Sequence, residues 1–346
     1  LKLKKEPKKI LIIRLSSLGD IVVLTPIFKS LKVRFPEAQI DFLVKKEFKS
    51  IIVKNPYLSN IMTFDINEGL RGWNKLCRSL SGENYDLFID MHNNFRSWIL
   101  NLFLFKVPRL RYYKPRLLRF LLFYFLINFF PKSFSLLGEY FKVLKPLGID
   151  SPDSKPEIFL PDLALEKAKS ILENKGVKSP FVTILPVAAW SNKRYPLMKY
   201  EELAKRINNE LDMTVVWLGG KKDSYLNDLK YLEQGKSVEV IGETDLEESL
   251  GILCQSFLVV GNDTGLTYSA EALGIPVVLI LGPTSRETGA GHYYENSVTL
   301  QKDIWCRPCS QKGDRKCYRK KRYCMREISS DEIFKAVRKI IEREDQ

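Results

Sequence analysis

Histidine is nearly missing from this chain: His92 and His292 are the two among 346 residues. Any proton transfer the protein performs is therefore expected to fall to a carboxylate. Long hydrophobic runs are missing as well. The most apolar stretch, Phe120 to Phe130, has eleven residues, includes Asn128 and stops at Pro131, whereas a bilayer-spanning helix needs about 20. No signal peptide is visible, since the first apolar run, Ile10 to Ile13, is followed at once by Arg14. These absences predict a cytoplasmic protein. The turn after that run, Ser16-Ser17-Leu18-Gly19-Asp20, lacks the G-x-G-x-x-G of a dinucleotide oxidoreductase. Acid is scarce in one region above all: from Arg96 to Lys145, Glu139 stands alone against ten lysines and arginines.

The chain exceeds the size at which a single core keeps growing, so two domains are expected. The net charge of +14 is unevenly spread. Residues 1–150 hold 26 Lys and Arg against 12 Asp and Glu, while the remainder balances at 29 against 29. A basic half implies an acidic partner such as phospholipid, phosphorylated glycan or nucleic acid, with a merely solvated surface as the alternative. Between Arg96 and Lys145 the cations alternate with Trp98, Phe103, Phe105, Tyr112, Tyr113, Phe120, Phe123 and Phe125. We read this region as helical. The mixture suits a membrane interface or a lipid-linked anion, although many of these aromatics also suit a core.

Apolar runs and amphipathic stretches alternate on both sides of this region. Strands are predicted at Ile10–Leu15, Gln39–Val44, Ile61–Phe64 and Leu87–Asp90, then at Phe181–Leu185, Thr214–Leu218, Val238–Ile241, Leu258–Val260 and Val277–Leu281, with helices between. Such alternation means parallel sheets covered by helices. A proline-bearing stretch, Asp150 to Asp162, reads as the linker. The expected domains are residues 1–155 and 156–330, with a last helix over 331–346 packing back across both. Two such domains in tandem would leave a cleft between sheet edges where a ligand sits.

The most informative stretch is Phe257 to Thr284. An apolar run ends in Gly261-Asn262-Asp263-Thr264-Gly265, a helical pattern follows, and a second strand delivers Gly282-Pro283-Thr284 to the same sheet edge. A helix N-terminus there offers unpaired N–H groups and a positive dipole end, and two such turns suit a nucleotide diphosphate. A plain helix cap is the competing explanation. Lys193 and Arg194, in the loop after the strand ending at Leu185, could neutralise that diphosphate, or be simply solvated. Asp223, after Gly219-Gly220, could hold a ribose hydroxyl. Asp20 is the best-placed carboxylate base, with helix capping as its alternative role.

Cysteine is clustered late, as Cys306, Cys309, Cys317 and Cys324. Four thiols led by C-x-x-C can form a structural zinc site, while unpaired thiols are the alternative in a reducing compartment. Either way the cluster is expected to be structural and remote from catalysis.

Taken together, these motifs resemble the glycosyltransferase family that contains the ADP-heptose:lipopolysaccharide heptosyltransferases. The resemblance is carried by Ile12-Ile13-Arg14-Leu15-Ser16-Ser17-Leu18-Gly19-Asp20, Thr25-Pro26, Asn94-Phe95-Arg96-Ser97, Lys193-Arg194-Tyr195-Pro196, Gly261 to Gly265, Gly282 to Thr284 and Cys306-Arg307-Pro308-Cys309. It implies two Rossmann-like domains facing across a cleft (the GT-B fold) and inversion at the transferred sugar. It implies a nucleotide-sugar donor, a lipid-linked anionic glycan acceptor, and peripheral contact with the acidic inner membrane surface. It requires no cofactor and no nucleic acid. Asp20 would be catalytic, with Lys193 as a diphosphate contact. The donor would meet Ala189, Arg194, Asp223, Asp263, Thr264, Gly265, Tyr268, Gly282, Pro283 and Thr284. The acceptor would meet Ser17, Gly19, Arg96, Arg109, Arg111, Lys114, Arg116 and Arg119. Tyr268 departs from the family, which usually carries histidine at that position. A nucleotide-sugar epimerase-like enzyme, or a non-catalytic membrane- or glycan-binding relative, are the alternatives.

Overall fold

Parallel strands buried on both faces read as unbroken apolar runs, and Lys9–Ile13 (β1) is one: Ile10, Leu11, Ile12 and Ile13 are all fully buried. Each such side chain contributes about 1.5–3 kcal/mol on leaving water. A computed structural model of the chain describes residues 5–150, 154–223, 225–226, 229–231 and 236–344. After β1 come α1 (Leu18–Arg34), β2 (Gln39–Lys45), β3 (Asn60–Phe64), α2 (Gly69–Ser81), β4 (Leu87–Asp90), α3 (Phe95–Phe103), β5 (Arg109–Arg111), α4 (Arg116–Phe125) and α5 (Leu136–Leu144). The second half holds α6 (Asp162–Asn174), β6 (Phe181–Leu185), α7 (Leu197–Glu210), β7 (Thr214–Gly219), β8 (Ser237–Ile241), α8 (Leu246–Gln255) and β9 (Leu258–Asn262). It continues with α9 (Gly265–Ala272), β10 (Val277–Ile280), β11 (Val298–Leu300), α10 (Tyr323–Arg326) and α11 (Ser330–Glu344).

The chain forms two compact units, Leu1–Pro115 with Ser135–Phe159, and Arg116–Phe134 with Leu160–Gln346. The first unit holds a five-stranded parallel sheet ordered β3-β2-β1-β4-β5. The second holds a six-stranded parallel sheet ordered β11-β10-β9-β6-β7-β8. Both are doubly wound orders that reverse direction between the first and fourth strands. In such sheets ligands bind outside the carboxyl ends of the strands at the reversal. That rule singles out the loops after β1 and β4 in one unit, and after β6 and β9 in the other.

Two expectations need revision. The region between Arg96 and Lys145 is not helical throughout, because β5 pairs with β4 inside it. Its Arg-Leu-Arg sequence buries only Leu110, so neither length nor alternation announced a strand. Arg116–Phe134, expected in the first domain, groups with the second unit. The boundary between the units lies at Phe159 and Leu160, and residues 151–153 of the predicted linker lie outside the described residues. α11 packs on α7 and β10, both in the second unit.

A proline inside α1 shows how the first loop is held. Pro26 has no N–H to give the Val22 carbonyl, and the Thr25 hydroxyl supplies that bond instead at 2.8 Å. The same hydroxyl accepts the Glu157 amide at 2.9 Å, tying the end of the unit to the helix that carries Asp20.

Candidate active site

In the first unit, the turn after β1 places Asp20 in the opening turn of α1. The Ser17 amide and hydroxyl both donate to its Oδ2, at 3.1 and 2.7 Å. Asp20 therefore does cap the helix. It also faces a cation: Arg14 Nη2 lies 2.8 Å from Oδ2, while Arg14 Nη1 donates to the Met91 carbonyl at the end of β4. Burial raises the Asp20 carboxyl, but Arg14 and the Ser17 bonds outweigh it and hold the group at about 2. The carboxylate side chain remains about 31% exposed, enough to meet a ligand. Gly19 lies in the same helical turn.

His92, on the loop after β4, went unassigned in the sequence. It is 8% exposed and lies within electrostatic reach of Arg14, Lys114 and Asp20. Burial, then those cations, push its imidazole down to about 3, so it is neutral at physiological pH. Of the other acceptor-side residues in this unit, Arg96 lies over the Phe64 ring. Arg109 donates to Asn101 at 2.9 Å, and Arg111 pairs with buried Asp90 at 3.1 Å. Arg116 and Arg119 belong to the second unit, where Arg119 Nε donates to the Glu287 carbonyl at 3.4 Å.

In the second unit, the loops after β6 and β9 meet through Asn262, which is fully buried. Its Oδ1 accepts the Tyr195 amide and the Tyr200 hydroxyl, both at 3.1 Å, and its Nδ2 donates to the Pro186 carbonyl at 2.8 Å. This joint brings Lys193 Nζ to 2.6 Å from Asp263 Oδ2. Thr284, after β10, donates to the same oxygen at 2.6 Å, and Tyr268, from α9, donates to Oδ1 at 2.8 Å. Burial works against the Asp263 charge, but Lys193, Thr284 and Tyr268 together depress its pKa. Tyr268, raised far above its ordinary value by burial and by Asp263, stays a phenol. It orients Asp263 where a histidine could have carried charge.

Gly261 has a packing role. A Cβ there would lie 2.5 Å from Thr267 Oγ1 and 3.0 Å from Leu185 Cβ, so the residue allows β9, β6 and α9 to close together. Thr264 precedes α9 without a side-chain cap, which leaves the first-turn amides of Gly265 onward for a ligand. Arg194 turns onto the Tyr225 ring at 3.6 Å and donates to Ala188, lining a cavity of about 450 Å³. Asp223 accepts the Gly220 amide at 3.0 Å, and Ala189 is exposed in the Lys193 loop.

The cysteine loop is not remote from this constellation. The Cys309 amide donates to the Pro283 carbonyl at 3.1 Å, and Arg322 donates to Ser191 beside Lys193. Its sequence position after the last donor motif concealed this, because contact in space does not follow order along the chain. Among the described residues no three His, Cys, Asp or Glu side chains gather as metal ligands, while Cys324 lies within electrostatic reach of Cys306, Cys309 and Cys317. Burial, followed by neighbouring thiols, pushes Cys309 and Cys324 up to about 11, which keeps both protonated.

The glycosyltransferase family 9 (heptosyltransferase) model matches residues 73–319. Lipooligosaccharide heptosyltransferase 2 of Haemophilus ducreyi is 27% identical over 297 residues, covering 80% of this chain and 84% of that protein. Two solved structures share the fold. A family 9 glycosyl transferase from Veillonella parvula has a TM-score of 0.80 at 20% identity, with 97% and 98% of the two chains covered. The Escherichia coli ADP-heptose lps heptosyltransferase II has a TM-score of 0.73 at 22% identity, with 98% and 100% covered. Two Rossmann-like domains of GT-B type are thus the architecture.

Proposed function

Because the chain belongs to glycosyltransferase family 9, whose model spans residues 73–319, we propose that it transfers heptose from ADP-heptose to a lipopolysaccharide core or lipid A acceptor. The observation that carries this reading is the Lys193–Asp263–Thr284–Tyr268 constellation at the strand-order reversal of the second sheet. There a diphosphate meets Lys193 and the amides of α9, and those groups stabilise the charge that grows on the departing ADP. The acceptor hydroxyl attacks the anomeric carbon from the face opposite the diphosphate, the bond to ADP breaks, and Asp20 takes the hydroxyl proton. One displacement inverts the configuration.

The donor assignment is tested by thermal unfolding with ADP, UDP and GDP, since a ligand bound to the native state stabilises it by mass action. ADP should raise the melting temperature most. A larger shift with UDP or GDP would exclude ADP-heptose as the donor.

We also propose that the protein works at the inner membrane surface from the cytoplasmic side. Among the described residues no helix is long and apolar enough to cross a membrane. In the second unit, Arg116–Phe134 contains no acidic residue, and Leu117, Phe120, Tyr124, Phe125 and Phe129 are exposed on it. An apolar face rimmed by Arg116, Arg119 and Lys132 suits shallow insertion among acidic headgroups. Replacing Phe120, Phe125 and Phe129 with serine should abolish sedimentation with acidic vesicles at every salt concentration. Neutralising Arg116 and Lys132 should weaken it chiefly at low salt. If the triple variant sediments like the wild type, the surface is misassigned.

A further inference from the structure

The loop from Cys306 to Arg322 takes up backbone groups on both sides of the Lys193–Asp263 pair. Arg307 spreads its guanidinium over carbonyls of the Gly282–Thr284 turn: Nε donates to Gly282, and Nη2 donates to Thr284 at 2.6 Å. Its remaining bonds, to the Lys302 carbonyl and Gln301 Oε1, are both 2.9 Å, so the fork is fixed at its other end too. The Cys309 and Ser310 amides take the Pro283 carbonyl, at 3.1 and 3.4 Å. Three consecutive carbonyls of the turn that carries Thr284 are thereby held by one loop. Thr284 in turn fixes the Asp263 oxygen that Lys193 meets.

On the opposite side the loop meets Lys193 itself. Gly313, at φ +79°, lies against the lysine's aliphatic stem, where an added Cβ would come 2.7 Å from Lys193 Cγ. Asn192 donates to the Arg315 carbonyl and Arg322 donates to the Ser191 carbonyl, clamping the two residues before Lys193. The Gly313 amide donates to Ser310 Oγ at 2.9 Å, and Ser310 is fully buried, so the glycine is itself held in place.

We propose that this loop positions Lys193 for leaving-group stabilisation, with Arg307 and Gly313 as its positioning residues. Arg307 sets the turn that orients Asp263, and Gly313 sets the track along which the lysine side chain runs. Neither touches the substrate. The proposal rests on the reading of Lys193 as a diphosphate contact. A displacement of about 1 Å in such a group can lower turnover about 10²-fold. Lysine cannot replace Arg307, because a single ammonium does not span carbonyls that a planar fork reaches together.

The test is a pair of double-variant cycles. Gly313→Ala and Arg307→Lys are each made in the wild type and in the Lys193→Ala background, and kcat, KM for the donor, ADP affinity and melting temperature are measured. In the wild type each should lower kcat at least about tenfold, with a smaller change in KM. In the Lys193→Ala background each should lower kcat less than twofold, because the group being positioned is gone. If the losses multiply undiminished in both cycles, the loop does not act through Lys193 and the proposal fails. Should Gly313→Ala not fold, the Arg307→Lys cycle decides alone. Should Lys193→Ala keep full turnover, Lys193 does not stabilise the leaving group and there is nothing for the loop to position, an outcome separate from multiplying losses.

Discussion

Replacing Lys193 with alanine should lower turnover by roughly 10²–10³-fold, the usual worth of one group aimed at developing charge in a water-poor site. Affinity for the intact donor should fall less, because charge on the departing diphosphate grows toward the transition state. The structure adds a second effect. Asp263 is about 7% exposed on its side chain, and Lys193 is its cation. Removing one partner of a buried pair typically costs about 3–5 kcal/mol, so the melting temperature should drop as well. Adding Asp263→Asn removes the stranded charge and should recover much of the stability while leaving turnover low. Because the Asp263 pKa is depressed, the pair's contribution is complete above the ordinary carboxyl value of 3.8 and disappears only as pH falls through the lower folded value. Unchanged turnover with only a raised KM would reduce Lys193 to ground-state binding.

Asp20→Asn should lower turnover by roughly 10²-fold or more, the contribution of a positioned base, with ADP affinity unchanged, since the donor set belongs to the other unit. The ion pair brings stability into the outcome: Arg14 is 5% exposed, and the amide leaves it without its carboxylate, so the melting temperature should fall. Pairing Asp20→Asn with Arg14→Met removes both charges, and this double variant should regain stability without regaining turnover. With its carboxyl at about 2, Asp20 is ionised at any working pH, and turnover should show no loss from its protonation above about pH 4. So acidic a group accepts a proton only once the new bond has begun to acidify the hydroxyl. A stable and fully active Asp20→Asn variant would leave capping as the residue's whole role.

The sheets were legible because strands such as Ile10 to Ile13 and Val277 to Ile280 are buried on both faces and read as continuous apolar runs. So was the edge at which the site forms, since Gly261 to Gly265 marks a strand passing into a helix. β5 and β11 escaped, being three residues each and half-exposed in part. The unit to which Arg116–Phe134 belongs could not be read at all: an amphipathic helix announces that it needs a partner, and its sequence does not say which. Arg307 escaped for a similar reason. Its targets are backbone carbonyls at Gly282 and Thr284, and a carbonyl leaves no trace in residue identity. The arginines of the first half were read as one anion-binding surface, yet Arg111 is bound to Asp90 and Arg119 to the Glu287 carbonyl.

The membership of Arg116–Phe134 in the second unit bears on how such proteins can be cut and recombined. Neither half is a continuous piece of chain. A fragment ending at Phe159 would carry Leu122, Phe130 and Phe134, which form an apolar cluster, without the unit that shelters them. A fragment beginning at Leu160 would lose Asn128, the 3.0 Å partner of Glu287, and the Tyr124 ring on which Arg315 stacks at 4.2 Å. A chimaera joined at Phe159 would inherit this segment from one parent and its seat from the other. Successful exchange between relatives therefore needs three junctions, near Pro115, Phe134 and Phe159, and inheritance by halves should favour lineages in which the segment and its seat have changed together.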